Sequence, residues 1–496
     1  MGGLAALDHV TIVLYGAAVL WIGLRAGRGR ATSDELLLAG RDLPGWAALG
    51  SLVATELSAA TFLGVPHAAY LGDWSYLELA FGALAGKMLL AAFVIPRYHA
   101  LGIETVYGFV ETRFGPRSRR DAALCFVVGR IVASGARLFI AALAVSVVLG
   151  VDPALAIAGL GVVAGVYTAF GGLRAVVATD LLQGAVLLAA AIGSLVVLGT
   201  LFPDGWSGIL AWASDAGRTR VFHGDPLFAW GSARPFGVAF VGGCVLTLAT
   251  HATDHDMVQR LLATRDGGTG ARALAGSALV NFPVTLLFLL LGTGLARFYA
   301  EGADYDIQDA ARIVPLFALH ELPAGLRGLV FAGLFAAAMS SLDSAICAIA
   351  AAWVVDVAPR EGRGPALARR IRRVSALACG ALVLSAVAIA AYHRALESGA
   401  ASGPRLSLVE LALSSMTVLY GGLLGVFGLG LLTSGAPGPR RDLAARVGLG
   451  VGAVVGLGLF LHPLVLGHVV ISWAWWIPIS SSISVAAIAA VAGRRL

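Results

Sequence analysis

Apolar runs of about eighteen residues or more recur along nearly the whole chain, and polar residues fall mostly in short breaks between them. A run of that length crosses the roughly 30 Å hydrocarbon layer as a helix. Thirteen such spans are predicted, near 10–24, 43–70, 74–95, 122–149, 153–170, 178–202, 236–261, 273–298, 326–357, 371–392, 406–432, 443–461 and 466–491. The predicted fold class is an all-α polytopic membrane protein in the cell inner (plasma) membrane. The first run is followed by Arg25, Arg28 and Arg30 and preceded by no basic residue, the reverse of a signal peptide. It reads as a retained anchor with its N-terminus outside. With that orientation, counting residues at span ends with the adjoining loop, 24 of the 35 Lys and Arg residues fall on the side predicted as cytoplasmic and 8 on the external one. An odd number of spans then puts Arg494 and Arg495 in the cytoplasm. Loops 203–235 and 299–325 are the long external ones.

One span breaks the pattern. Residues Ser51 to Pro66, SLVATELSAATFLGVP, carry Thr55, Glu56, Ser58 and Thr61 in an otherwise apolar run, followed by Gly64 and Pro66, which weaken a helix. Irregular backbone at membrane depth is tolerated where it is buried in protein or lines a wet cavity. The stretch fits a discontinuous helix at an ion and solute site; it also fits a Ser/Thr-rich helix packed through small side chains.

Composition narrows the function classes. With 58% hydrophobic and 13% charged residues and a mean hydropathy of +0.85, the chain is excluded from the soluble globular class. The 64 glycines suit close helix packing in a membrane. A net charge of +6 would suit nucleic acid, but the basic residues sit in loops between spans, where they set topology. Cys125, Cys244, Cys347 and Cys379 lie in apolar segments without disulfide or zinc spacing. No nucleophile elbow, phosphate loop or metal-spaced histidine pair appears, so no enzyme is expected.

A charge at the bilayer centre costs roughly 2.5 kcal/mol or more, which makes ionisable residues inside spans functional candidates. They are Glu56, Glu78, Lys87, Arg130, Arg137, Asp180, Asp254, His255, Asp256, Asp343 and Glu410. Arg130 and Arg137, seven apart on one face, fit either an anionic solute or neutralisation of Glu56 and Glu78. Lys87 is expected to snorkel toward the inner surface, Asp256 to pair with Arg260, and Glu410 to be solvated near the outer interface. Ser340, Ser341, Asp343 and Ser344 offer the hard oxygen ligands a small cation needs, with Asp180 at a similar depth.

These features occur within motifs that resemble the sodium:solute symporter family: Leu38-Ala39-Gly40-Arg41, SLVATELSAATFLGVP, YGFVETRFG at 107–115, VYTAFGGLRAVVATDLLQG at 166–184, MVQRLLATRD at 257–266 and AAAMSSLDSAICAIAAAWVVDV at 336–357. The resemblance implies a five-plus-five inverted-repeat, LeuT-like core with the first helix of each repeat broken. Residues 1–42 would form an anchor and cytoplasmic link, 43–202 the first repeat, 203–235 an external loop, 236–434 the second repeat, and 435–496 two C-terminal spans. It implies sodium held by carbonyls of Ala54, Leu57 and Ala337 and hydroxyls of Ser340 and Ser341. A second sodium would lie with Asp180, Ser340, Asp343 and Ser344, and solute would meet Glu56, Ser58, Thr61, Glu78, Arg137 and Asp254. Glu56 and Thr61 depart from the Asn and Gln of sugar carriers; Ser58, Thr61 and an arginine on the fourth span look closer to members that take sialic acid. His255 stands where glutamine is common. The expectation is a sodium-coupled symporter importing a small polar organic solute (sialic acid, sugar or carboxylate) by alternating access. Sodium is then the co-transported ion, without an organic cofactor or nucleic acid partner. Proton coupling is the alternative. A solute sensor is the other, against which the chain's end at Leu496 without a signalling module counts.

Overall fold

The computed structural model describes residues 4–26, 33–224, 226–233, 235–301, 312–359, 365–398 and 408–493. Among these, nine helices are long and apolar enough to cross a membrane, and two bent pairs raise the number to eleven. The order is α1 (Ala6–Ala26), α2 (Ser33–Leu38), the bent pair α3 (Gly45–Glu56) and α4 (Ala59–Leu71), α5 (Tyr76–Phe93), α6 (Ile95–Ala100), α7 (Val106–Arg113), α8 (Pro116–Leu149), α9 (Pro153–Thr200) and α10 (Gly205–Asp215). A second bent pair follows, α11 (Phe236–Ala252) and α12 (His255–Leu262), then α13 (Gly267–Ala300), α14 (Ile313–Glu321), α15 (Leu326–Ala352), α16 (Pro365–Glu397), α17 (Leu408–Leu432), α18 (Pro439–Leu466) and α19 (Trp476–Ala492).

Local chemistry explains where these helices start and turn. Pro116 and Pro153 occupy first-turn positions, where a missing N–H costs nothing, and the Asp152 side chain caps α9 by accepting from the Ala154 amide at 2.7 Å. At 48 residues α9 spans roughly 70 Å at 1.5 Å per residue, too long for one crossing. It divides at Gly172, whose φ of 59° and ψ of −159° only glycine adopts without strain. The predicted spans 153–170 and 178–202 are its two arms. The predicted run from 466 is shorter than expected at its start, because α18 extends to Leu466 and the helix that follows opens only at Trp476.

The core is built around α15. Every residue from Ala336 to Ala352 is buried, and the helix packs against α9, α8, α1 and α16. Alanine and serine make this possible, since small side chains let backbones approach. The same close approach appears where α13 crosses α4: a Cβ on Gly292 would lie 2.1 Å from the Pro66 carbonyl oxygen. The expectations for Arg28, Arg30, the Glu410 side chain, Arg494 and Arg495 fall outside the described residues.

Candidate ion and solute site

The α3–α4 pair bends by 55°. Leu57, at φ −75° and ψ 66°, leaves helical geometry, and Ser58 begins α4 in extended backbone without a side-chain cap. A helix end without caps leaves backbone groups seeking partners. The Glu56 carbonyl accepts from the Ser58 amide (2.9 Å) and the Thr61 hydroxyl (3.0 Å). The Ser340 hydroxyl of α15 reaches the Ala54 carbonyl at 3.3 Å, and Ser341 reaches the Ala337 carbonyl at 3.4 Å. Thus the break and the serine pair, 286 positions apart in sequence, face one another.

Beside them lies a buried charged cluster. Ser340 donates to Asp180 Oδ1 at 2.9 Å, and Asp180 Oδ2 accepts from Ser51 at 2.5 Å, Thr55 at 3.3 Å and the Arg260 guanidinium at 3.1 Å. Arg260 also donates to Ser51 (2.6 Å), to the Asp256 carbonyl (2.6 Å) and to the Ser344 hydroxyl. Asp343 accepts from the Tyr167 hydroxyl at 2.7 Å and from the Ser344 amide at 2.6 Å. Asp180, Ser340, Asp343 and Ser344 therefore come together as expected, but with the Arg260 guanidinium already bonded to two of them. The expected Asp256–Arg260 pairing is present.

On the other side of the break a cavity of about 160 Å³ opens between α3–α4, α5 and α13. Glu56 and Thr61 line it, together with Tyr76, Lys87, Asn281 and Thr285. Lys87 Nζ lies 2.6 Å from both Glu56 oxygens and 3.3 Å from Ser277 Oγ. Asn281 Nδ2 donates to Glu56 Oε2 at 2.6 Å, and His251 Nε2 lies 3.2 Å from Glu56 Oε1. The snorkelling expected of Lys87 does not occur: its side chain is 3% exposed, because Glu56 offers a charge partner nearer than any interface. The sequence carried a signal for this cluster. The chain contains one lysine and one asparagine, and both bond Glu56. An isolated residue type is a composition fact, however, and only the fold shows that the two meet.

Other expected solute residues lie elsewhere. Arg130 pairs with Asp254 at 3.0 Å and with Asp256, rather than with Glu56 or Glu78. Asp254 accepts from the Tyr420 hydroxyl and caps α12 through the Asp256 amide at 3.0 Å. Arg137 sits beside Arg130, Asp254 and Tyr420. Glu78 is buried on α5, and Ser58 is buried at the break; none of Ser58, Glu78, Arg137 and Asp254 lines this cavity. His255 is buried with its ring 6.3 Å from that of Tyr107.

Comparison with known proteins gives this geometry a context. The sequence profile of the sodium:solute symporter family matches residues 36–429. The sodium/sialic acid symporter NanT of Aliivibrio fischeri is 28% identical over 92% of this chain and 88% of its own length. The sodium/sialic acid symporter SiaT of Proteus mirabilis is 28% identical over 71% of each chain. A solved substrate-bound, outward-open Na+-coupled sialic acid symporter superposes with a TM-score of 0.84 at 24% identity, covering 99% of this chain and 100% of that one. The two share their LeuT-like fold.

Proposed function

As the chain belongs to the sodium:solute symporter family, we propose that it is a secondary active transporter that imports a small polar organic solute with sodium by alternating access. The observation that carries this is the α3–α4 break, which faces Ser340 and Ser341 on one side and a polar cavity on the other. Sodium is read as bound by the carbonyls of Ala54, Leu57 and Ala337 and the hydroxyls of Ser340 and Ser341. All are hard oxygen donors, and Asp180 beside Ser340 supplies a counter-charge. Ion and solute then share one flexible element, so each raises the other's affinity by the same factor. One sodium moved inward gains about 2.3 kcal/mol per 100 mV of membrane potential.

A second sodium at Asp180, Ser340, Asp343 and Ser344 requires Arg260 to give way, since its guanidinium holds Asp180 and Ser344. Two carboxylates beside one guanidinium are also what a proton-coupled carrier would use. Uptake into proteoliposomes under an imposed sodium gradient at constant pH separates the two. Sodium-driven accumulation supports the reading, and accumulation driven by pH alone overturns it. We read the thirteen apolar runs as thirteen spans of an inner-membrane protein with an external N-terminus. The repeats are 43–202 and 236–434, each opening with one of the bent pairs.

A further inference from the structure

The cavity beside Glu56 has a charge and hydrogen-bond pattern that specifies more than polarity. Its lining holds one cation, Lys87, and that cation is spent: an ammonium has three N–H donors, and Lys87 directs them to the two Glu56 oxygens and to Ser277. The member of the pair that meets the cavity is the carboxylate, 21% exposed against 3% for the lysine. The remaining polar wall is also committed as donor. Thr61 donates to the Glu56 carbonyl at 3.0 Å, Thr285 to the Asn281 carbonyl at 2.9 Å, and the Asn281 amide to Glu56. With the Asn281 nitrogen turned to a carboxylate, its Oδ1 is left without a hydrogen bond among the described residues. The Thr61 and Thr285 hydroxyl oxygens keep acceptor capacity, and the Tyr76 hydroxyl and the second N–H of the Asn281 amide can still donate.

We propose that the transported solute is net neutral and presents hydrogen-bond donors, hydroxyls or the ammonium of a zwitterion, to the Glu56 wall. This rests on the symporter reading above. An anion would enter a site with no free cation, where an unpaired buried charge is costly. Its carboxylate, which only accepts, would meet no free charged donor among the described lining residues. Of the residues assigned to sodium, Leu57 borders the cavity and those of α15 do not, and Asp180 beside Ser340 supplies the ion's counter-charge. Glu56 acts here as the specificity-determining residue: it keeps Lys87 from serving as an anion site.

The test uses the purified full chain in nanodiscs and proteoliposomes, with thermal stabilisation and uptake measured in saturating sodium chloride. The probes are glucose, myo-inositol, alanine, lactate and N-acetylneuraminate. Stabilisation by a polyol or by alanine is expected, with none by lactate or N-acetylneuraminate. Glu56→Gln frees Lys87; it is expected to weaken the neutral ligand roughly 10–100-fold and to gain lactate or N-acetylneuraminate binding. Sodium-dependent uptake of either anion by the wild type overturns the inference while leaving sodium symport intact. Because the wild-type panel decides alone, a Glu56→Gln protein that fails to fold does not rescue the inference. Neutral-solute binding and uptake that are identical without sodium overturn the symporter reading and leave the solute class standing.

Discussion

The two broken helices differ in who closes the gap. At the second break, between α11 and α12, the protein supplies the partners. Asp254 caps the α12 amides, Tyr98 donates to the Ala252 carbonyl at 2.9 Å, Tyr107 donates to the Thr253 carbonyl at 3.1 Å, and Arg130 neutralises Asp254 and Asp256. At the first break, between α3 and α4, Ser58 provides no side-chain cap and Leu57 leaves the helix. Hydroxyls approach the carbonyl of Ala54 at 3.3 Å and that of Glu56 at 3.0 Å. The bends are nearly equal, 60° and 55°. A kinked helix alone is therefore not a binding site. What matters is whether the freed backbone is satisfied from within, as at the α11–α12 break, or left for a ligand, as we propose for the α3–α4 break.

That contrast can be broken by substitution. The largest effect is expected at the closed break. Arg130→Ala leaves Asp254 and Asp256 buried without their shared partner, and removing one side of a buried ion pair costs about 3–5 kcal/mol. Thermal unfolding of the detergent-purified protein should show a severe loss or no folded yield. A stability near that of the wild type would mean that Arg130 does not hold this break. At the open break, Ser341→Ala should leave folding in sodium-free buffer unchanged. It should raise the sodium concentration for half-maximal uptake by roughly 10–100-fold, the worth of one hydroxyl to a charged partner. An unaltered sodium dependence removes Ser341 from the ligand set. The smallest effect is expected for Tyr107→Phe, which deletes the donor to the Thr253 carbonyl. A stability loss of about 1 kcal/mol with sodium half-saturation unchanged is the expected result. A shift in sodium half-saturation would show instead that the two breaks are energetically joined.

Residue chemistry explains what was readable in advance. The apolar runs located the membrane helices because hydrocarbon rewards uninterrupted apolar length wherever it occurs. The polar interruption at Thr55 to Thr61 marked the first bend, since a hydroxyl or carboxylate at that depth needs a reason, while the second, beside Asp254 to Asp256, was implied by the family resemblance. Ser340 to Ser344 stood out on the same ground. Partner choice was another matter. Lys87 was expected at the interface and instead bonds Glu56; Arg130 was left between an anionic solute and the glutamates and instead holds two aspartates. Asn281, His251 and Tyr167 were not singled out at all, being ordinary in sequence and decisive only through what they touch.

The stretch SLVATELSAATFLGVP set itself apart from an ordinary span because its polar side chains act locally; that it breaks at Leu57 and Ser58, with Gly64 and Pro66 continuing inside α4, came from the structure. That its Ala54 carbonyl faces Ser340 and that its carboxylate meets the chain's single lysine were decided by tertiary structure. Ser340 is 286 positions from Ala54, and Lys87 is 31 from Glu56. Charges separated this far along the chain have several possible partners in sequence, and helix packing leaves them one.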